Sequence, residues 1–315
     1  MTHETLAPEG ETPLSPAAAY RAALLDAGLL IPTGVDGLYG RSETYEQVVT
    51  ALEQSITRLS AADRPEQMRF PPLLSRQDFL ASGYLKGFPH LAGTISCFCG
   101  NEADHRRMLA CIGEGEDFSQ FQQPADVVVT PAACYPIYPV IARRGPLQAG
   151  GLVVDVSSWC FRHEPSVDPC RMQMFRMREN VRIGTPDEVV AFRNRWLERG
   201  AAWLERLGLP FEAALANDPF FGRAGKLMAD GQRDQELKFE MLVPVGSVEE
   251  PTACMSCNLH MTHFSEIWPL TTADGAMAHT GCVAFGIDRL TLALFRHHGF
   301  TPTSWPAAVR AALFG

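Results

Sequence analysis

The segment Trp159 to Arg182, WCFRHEPSVDPCRMQMFRMRENVR, constrains this chain more than any other. It opens on an apolar turn, Trp159-Cys160-Phe161. Arg162 and Glu164 follow two apart, so on an extended strand both face one side. Pro165 and Pro169 break a sheet ladder and mark a loop. The chain then returns through Met172-Gln173-Met174-Phe175-Arg176-Met177-Arg178-Glu179. This reads as a β-hairpin with a long loop. Arginines at 162, 171, 176, 178 and 182 offer planar forks suited to a phosphate, and Phe175 offers a flat face for a base. A short motif of this kind also describes a solvated hairpin with paired charges, so it needs a second feature.

Gly281-Cys282-Val283-Ala284-Phe285-Gly286-Ile287-Asp288-Arg289-Leu290 is that feature: a short apolar strand, a glycine turn and an arginine at a helix start. FRHE followed far downstream by AFGIDRL resembles motif 2 and motif 3 of class II aminoacyl-tRNA synthetases. The wording around them, CFRHE, ELKFEMLVP, ACMSCNLHMTHF and HTGCVAFGIDRL, is similar to seryl-type synthetases of the archaeal kind. It resembles more closely their truncated homologues, which load an amino acid onto a carrier protein. The resemblance covers about residues 30 to 310.

At 315 residues the chain can bury one large core or two small ones. A hydrophobic fraction of 46% and a charged fraction of 20% describe an ordinary globular protein. A net charge of -9, with no lysine or arginine run, argues against tight binding to a nucleic-acid backbone. Nine cysteines in a chain that needs no disulfides imply reduced thiols and a cytoplasmic location. The N-terminus lacks the basic and apolar regions of an export signal, and no apolar run approaches the ~20 residues that span a bilayer.

Residues 1–14 read as a disordered lead, and 15–315 as a single catalytic domain with a helical N-terminal part over 15–70. Ser15-Pro16 caps a helix running from Ala17 to Leu30. Ser42 caps a second, with Val48, Val49, Leu52, Ile56 and Leu59 on one apolar face. Residues 75–83 look helical. Ile95–Phe98 and Asp126–Thr130 read as strands, the latter delivering Ala132, Ala133 and Cys134 to a turn. Thr185-Pro186-Asp187-Glu188 is a capping box. The helix it starts, Val189–Leu207, carries Val190, Phe192, Trp196, Leu197, Trp203 and Leu204 toward the core. Residues 217–235 form an insertion with Arg223, Lys226 and Arg233. Leu237–Val243 is a strand with Lys238 and Glu240 on one face, and Ala253–Ser256 begins the next. A last helix runs from Ile287 to His298 and stops at Gly299. Strands from 126 to 285 with helices outside them make an α+β fold with an antiparallel sheet. The resemblance names it as the class II synthetase catalytic fold, in which motif 1 builds a homodimer contact; the motif 1 region here, around Phe88-Pro89-His90, matches poorly.

The resemblance implies adenylation of an amino acid by ATP and assigns roles. Arg162 fits the motif 2 arginine at the α-phosphate and substrate carboxylate. Glu164 fits the acceptor for the adenine amino group, Phe175 the residue stacked under adenine, and Arg289 the motif 3 arginine at the γ-phosphate end. Arg171, Met172, Lys238 and the strand start Ala253, Cys254, Met255 and Ser256 are further nucleotide contacts, and Glu240 could hold Mg2+. A structural salt bridge accounts equally for Lys238 and Glu240. The expected reaction loads a small amino acid, glycine first and alanine second, onto the phosphopantetheine thiol of an acyl carrier protein. The insertion 217–235 is the expected carrier dock, and neither tRNA, a tRNA-binding domain nor a membrane is expected. A seryl-type tRNA ligase and a non-catalytic synthetase-like regulator are the alternatives.

The resemblance also implies one Zn2+ per subunit held by Cys134, Glu179 and Cys282, positions that bind zinc in the archaeal seryl-type enzymes and the carrier-loading relatives. Cys134 stands where class II enzymes often place a threonine that holds the substrate amine. Two thiolates and one carboxylate leave an open fourth position for that amine, so Cys134 and Glu179 also count as substrate-binding. Cys254-x-x-Cys257-x-x-His260-x-x-His263 looks like a competing zinc knuckle. Its spacing is too tight for a four-ligand finger, and residues 254 and 257 of a strand point to opposite faces.

Overall fold

A computed structural model describes residues 14–218 and 236–315. Most of the expected lead (1–13) and of the basic insertion (219–235, with Arg223, Lys226 and Arg233) lies outside the described residues. The elements in order are α1 (Pro16–Asp26), β1 (Leu30–Pro32), β2 (Tyr39–Arg41), α2 (Glu43–Ser60), β3 (Glu66–Arg69), β4 (Leu73–Ser75), α3 (Arg76–Ala81), α4 (Tyr84–Gly87), β5 (Thr94–Phe98) and α5 (Glu102–Gly113). They continue with β6 (Gln122–Val129), α6 (Ile137–Ala142), β7 (Leu152–Phe161), β8 (Met174–Gly184), α7 (Pro186–Arg206), β9 (Glu212–Leu215), β10 (Lys238–Val243) and β11 (Thr252–Met261). The chain ends with α8 (His263–Ile267), β12 (His279–Gly286), α9 (Ile287–His298) and α10 (Ala307–Phe314).

Seven strands form the main sheet in the order β3-β7-β8-β12-β11-β10-β9. Every neighbour in it is antiparallel except β3, which lies parallel to β7. The expected antiparallel sheet therefore carries one parallel edge, which local patterning cannot reveal because α2 sets the direction of β3. A three-stranded sheet, β4-β6-β5, stands apart from it.

The helix caps act as their sequences dictate. Ser15, Ser42 and Thr185 each accept from a backbone N–H of the first turn, and Thr185 with Glu188 closes a full capping box. The first helix is shorter than expected. It ends at Asp26, Gly28 turns the chain at φ +67°, and Leu30 enters β1 against β2. In α7, Phe192, Trp196, Trp203 and Leu204 are buried as expected, whereas Val190 is 40% exposed and Val189 takes its place inward.

One face of the main sheet is sealed by these helices. Cys257, Val283 and Phe285 pack with Trp196 and Trp203 of α7, Leu52 and Ile56 of α2, and Leu290 and Leu294 of α9. Phe285 meets both tryptophan rings edge-on, at 5.7 and 5.8 Å. Burying such side chains stabilises the fold by roughly 1.5–3 kcal/mol each. The other face is open in part and bears Glu179, Ser256 and Glu240, whereas Arg176, Arg178 and Asn180 of β8 turn to the covered face and bond α2. Among the described residues no helix is long and apolar enough to cross a membrane.

Candidate active site

Sheet register aligns the open face. Opposed residues of antiparallel strands point the same way, so Glu179, Ala284, Ser256 and Glu240 form one row across β8, β12, β11 and β10. Val181, Cys282, Asn258 and Lys238 form the next. Phe175 and Met177 continue the β8 side. Beyond these rows a cavity of ≈ 370 Å³ is lined by all eleven residues expected to bind nucleotide: Arg162, Glu164, Arg171, Met172, Phe175, Lys238, Ala253, Cys254, Met255, Ser256 and Arg289. Its size suits a small-molecule ligand.

Arg162 lies one residue past β7 rather than on it, so the expected same-face placement with Glu164 does not apply; both belong to the loop, where Glu164 N–H donates to the Arg162 carbonyl at 2.8 Å. The Arg162 guanidinium sits 5.4 Å from the Phe175 ring centroid and its Nε donates to Pro131 O at 3.3 Å. That second bond ties the cavity to the turn bearing Cys134. Arg289, at the start of α9, donates from Nε to Cys170 O and from Nη1 to Ala253 O, both at 3.0 Å. Glu164 and Arg171 stand 3.7 Å apart. Lys238 bonds Glu240 at 3.0 Å and also Asp218. Burial works to lower the Lys238 ammonium, but Asp218 and Glu240 outweigh it and raise its pKa.

Arg176, Arg178 and Arg182 are engaged by carboxylates of the chain itself. Arg176 donates from Nη2 to Asp288 at 2.9 Å and from Nη1 to Glu46 at 2.5 Å. Arg178 forks onto Asp155 at 2.8 and 2.6 Å, and Arg182 pairs with Glu188 at 3.1 Å. Arg176 and Arg178 are drawn to buried carboxylates. Asp288 also takes Arg41 Nε at 2.9 Å and the Tyr45 hydroxyl at 3.1 Å, while the Arg41 and Arg176 guanidiniums lie 4.6 and 4.8 Å from the centroid of the Trp159 ring. This network locks the residue beside Arg289 to the hairpin and to α2.

Cys134, Glu179 and Cys282, 148 positions apart at their extremes (282 − 134), come together at the inner end of the open face. The Cys134 N–H donates to Glu179 Oε2 at 2.7 Å, and Cys282 Sγ lies 3.4 Å from Glu179 Oε1. All three are buried. Burial raises the pKa of Glu179, against the bonds it accepts from Cys134 and Cys282. Burial and then the Glu179 charge push both thiols well above the ordinary range. The buried Tyr138 hydroxyl feels the Cys134 charge yet finds no partner of good hydrogen-bond geometry. Two thiols and one carboxyl packed together, beside a phenol without a hydrogen-bond partner, are residue types that could hold Zn2+. In their present, mutually hydrogen-bonded arrangement the described residues contain no group of three or more ligands set out around a metal position.

The tight run 254/257/260/263 does not converge. Cys254 lies by Cys170 and Arg289, Cys257 by Arg193 on the sealed face, and His260 by Cys282. The strand's period of two places Ser256, Asn258 and His260 on the open face, with a register shift between Leu259 and Met261. Burial, then His263, lowers the His260 pKa to about 4, so the ring is neutral. Asn258, Tyr138 and Asp218 were not singled out from the sequence, and His260 was read there only as part of the competing knuckle; alternation from Ser256 was the available signal for Asn258 and His260.

The fold is that of the class II aminoacyl-tRNA synthetase catalytic domain. Methanopyrus kandleri SerRS, solved in complex with A. aeolicus tRNASec, superposes with a TM-score of 0.78 at 20% identity, over 93% of this chain and 59% of that one. No family model matches the chain. Among curated proteins it is 50% identical to amino acid--[acyl-carrier-protein] ligase 1 of Bradyrhizobium diazoefficiens, over 89% of this chain and 86% of the relative. It is 47% identical to ligase 2 of the same organism, over 98% and 91%. The chain belongs to the amino acid--[acyl-carrier-protein] ligase family.

Proposed function

We propose that this chain activates a small amino acid with ATP and passes it to the phosphopantetheine thiol of an acyl carrier protein. The observation that carries this reading is the junction at Arg162: one side lines the nucleotide cavity and the other is bonded to the turn that bears Cys134. Family membership supports the ligase class and the carrier as acceptor.

In the first step a substrate carboxylate oxygen attacks the α-phosphorus of ATP in line, and the bond to the departing pyrophosphate breaks. The protein positions reactants and stabilises charge on oxygen. Arg162 holds the α-phosphate and the carboxylate, its fork matching both. Phe175 supports the adenine, Glu164 accepts from its amino group, and Arg289 faces the terminal phosphates from a helix N-terminus that favours anions. Glu240 is the carboxylate available to Mg2+ among the phosphates. In the second step the carrier thiol sulfur attacks the activated carbonyl, AMP leaves with the C–O bonding pair, and the thiol proton passes to the phosphate or solvent.

Cys134, Glu179 and Cys282 would hold Zn2+, which when bound supplies a Lewis-acid position for the neutral α-amine. A hydroxyl is a poorer ligand than an amine, so this arrangement selects α-amino acids over hydroxy acids. Tyr138 and Phe264 stack at 3.9 Å, and His260 abuts Phe264 at 5.1 Å, closing the space around the cluster. That enclosure supports glycine first and alanine second; one methyl group is worth only ~1–3 kcal/mol, so both react.

We also propose a single catalytic unit acting in the cytoplasm as a homodimer. All nine cysteines are unpaired, which suits a reducing compartment. Phe98, Leu109, Ile112 and Phe118 are all more than a third exposed and cluster around β5, α5 and the turn after it, an apolar surface that a second copy would cover. The test of the function is amino-acid-dependent exchange of pyrophosphate into ATP, run over all amino acids. Exchange with glycine above alanine supports the reading. No exchange with any amino acid sinks it, and a preference for a large or charged one sinks the substrate assignment.

A further inference from the structure

We propose that Asn258 and His260, with Thr280 behind them, are positioning residues that hold the Cys282 sulfur in place through N–H···S bonds. Both side chains of β11 reach that one sulfur. Asn258 Nδ2 donates to Cys282 Sγ at 3.3 Å and to Ser256 Oγ at 3.1 Å, so each amide hydrogen has a destination. His260 Nε2 lies 3.6 Å from the same sulfur, and its Nδ1 lies 3.2 Å from Thr280 Oγ1.

The tautomer follows from the hydroxyl. Thr280 is completely buried, and the contact its hydroxyl makes is with His260 Nδ1. A buried O–H must donate, so Nδ1 accepts and the ring proton resides on Nε2, aimed at Cys282. The relay runs from the Thr280 hydroxyl to His260 Nδ1, and from His260 Nε2–H to sulfur. Two N–H donors converge on Cys282, whereas on Cys134 the described contacts place none of this kind. The cluster is thus asymmetric: Cys282 is the sulfur held in register by β11, and Cys134 the one carried on a turn beside Tyr138. Outer-shell donors of this type orient a ligand and set its basicity.

The proposal rests on the reading of Cys134, Glu179 and Cys282 as a zinc site, and the experiment separates the two. Zinc stoichiometry is measured in the purified full chain and in Cys282→Ser. Zinc affinity is then read by competition with a chromophoric chelator in the wild type, His260→Leu, His260→Gln, Thr280→Val and Asn258→Leu. Each variant is also loaded with Co2+ and its sulfur-to-cobalt charge-transfer band recorded. His260→Leu and Asn258→Leu should each weaken zinc by about 10–100-fold and move the band. Thr280→Val, nearly isosteric, should do so to a smaller degree because the ring loses its fixed tautomer. His260→Gln, which keeps an N–H donor, should recover most of the loss. Unchanged affinity and band in His260→Leu and in Thr280→Val, with wild-type zinc present and lost in Cys282→Ser, overturns this proposal alone. Absence of stoichiometric zinc from the wild type overturns the zinc reading and this one with it. A misfolded His260→Leu leaves Thr280→Val and His260→Gln to decide between the outcomes.

Discussion

Replacing Asp288 by asparagine removes the carboxylate that Arg41 and Arg176 both face. The side chains are 3%, 8% and 10% exposed, so water screens the interaction little. Deleting one partner of a buried ion pair costs about 3–5 kcal/mol, because the remaining charge is left unpaired. Glu46 still neutralises Arg176 in part, at 2.5 Å, and an amide oxygen still accepts a bond. The lower end, about 3 kcal/mol, is therefore expected in equilibrium urea unfolding at neutral pH, with little change in the slope. The pH dependence has a definite sign. Burial works to raise the Asp288 pKa, but Arg41 and Arg176 outweigh it and depress it. Its stabilisation is thus fully present above the unfolded carboxylate pKa of about 3.9 and is lost as pH falls through the depressed folded value. The wild-type and Asp288→Asn chains should begin to converge in stability as pH falls below ~4 and converge fully only below the depressed folded value. Asp288 also fixes the start of α9, so Arg289 loses its placement and the KM for ATP should rise. A neutral-pH difference under ~1 kcal/mol, or one that does not shrink in acid, refutes the reasoning.

Other consequences are open to direct measurement. Arg162→Lys keeps a charge but loses the fork, and should lower the rate of pyrophosphate exchange by roughly 100-fold; a rate within twofold of wild type contradicts the role given to Arg162. Metal analysis should find zinc retained in Cys254→Ser and Cys257→Ser and lost in Cys134→Ser and Cys282→Ser, whereas the reverse pattern would place the site elsewhere. Leu109→Glu with Ile112→Glu should shift the light-scattering mass from dimer to monomer, and an unshifted dimer would remove that surface from the interface.

What the sequence disclosed depended on how local the signal was. The hairpin around residues 159–182, the capped α7 and the end of α9 at Gly299 were legible because proline, capping side chains and glycine act on their own neighbourhood. α5 escaped because it is mostly exposed and its apolar residues form no inward stripe; its Asn101 capping box was the one cue. The fates of Arg176 and Arg178 were hidden, since Asp288 and Asp155 approach them only through sheet pairing and α9. The Cys134, Glu179 and Cys282 cluster came from resemblance, for residues so far apart have no spacing to read. Only the register of β8 against β12 brings Glu179 beside Cys282. The register of β11 against β12 sets Asn258 opposite Cys282, with His260 reaching the same sulfur.

The most direct test of the account is mass spectrometry of a phosphopantetheinylated acyl carrier protein incubated with this chain, ATP and glycine. The account predicts a glycyl thioester on the carrier that requires ATP and the pantetheine thiol, and that hydroxylamine releases. No adduct on the holo-carrier, or an equal adduct on carrier lacking the pantetheine arm, would contradict it.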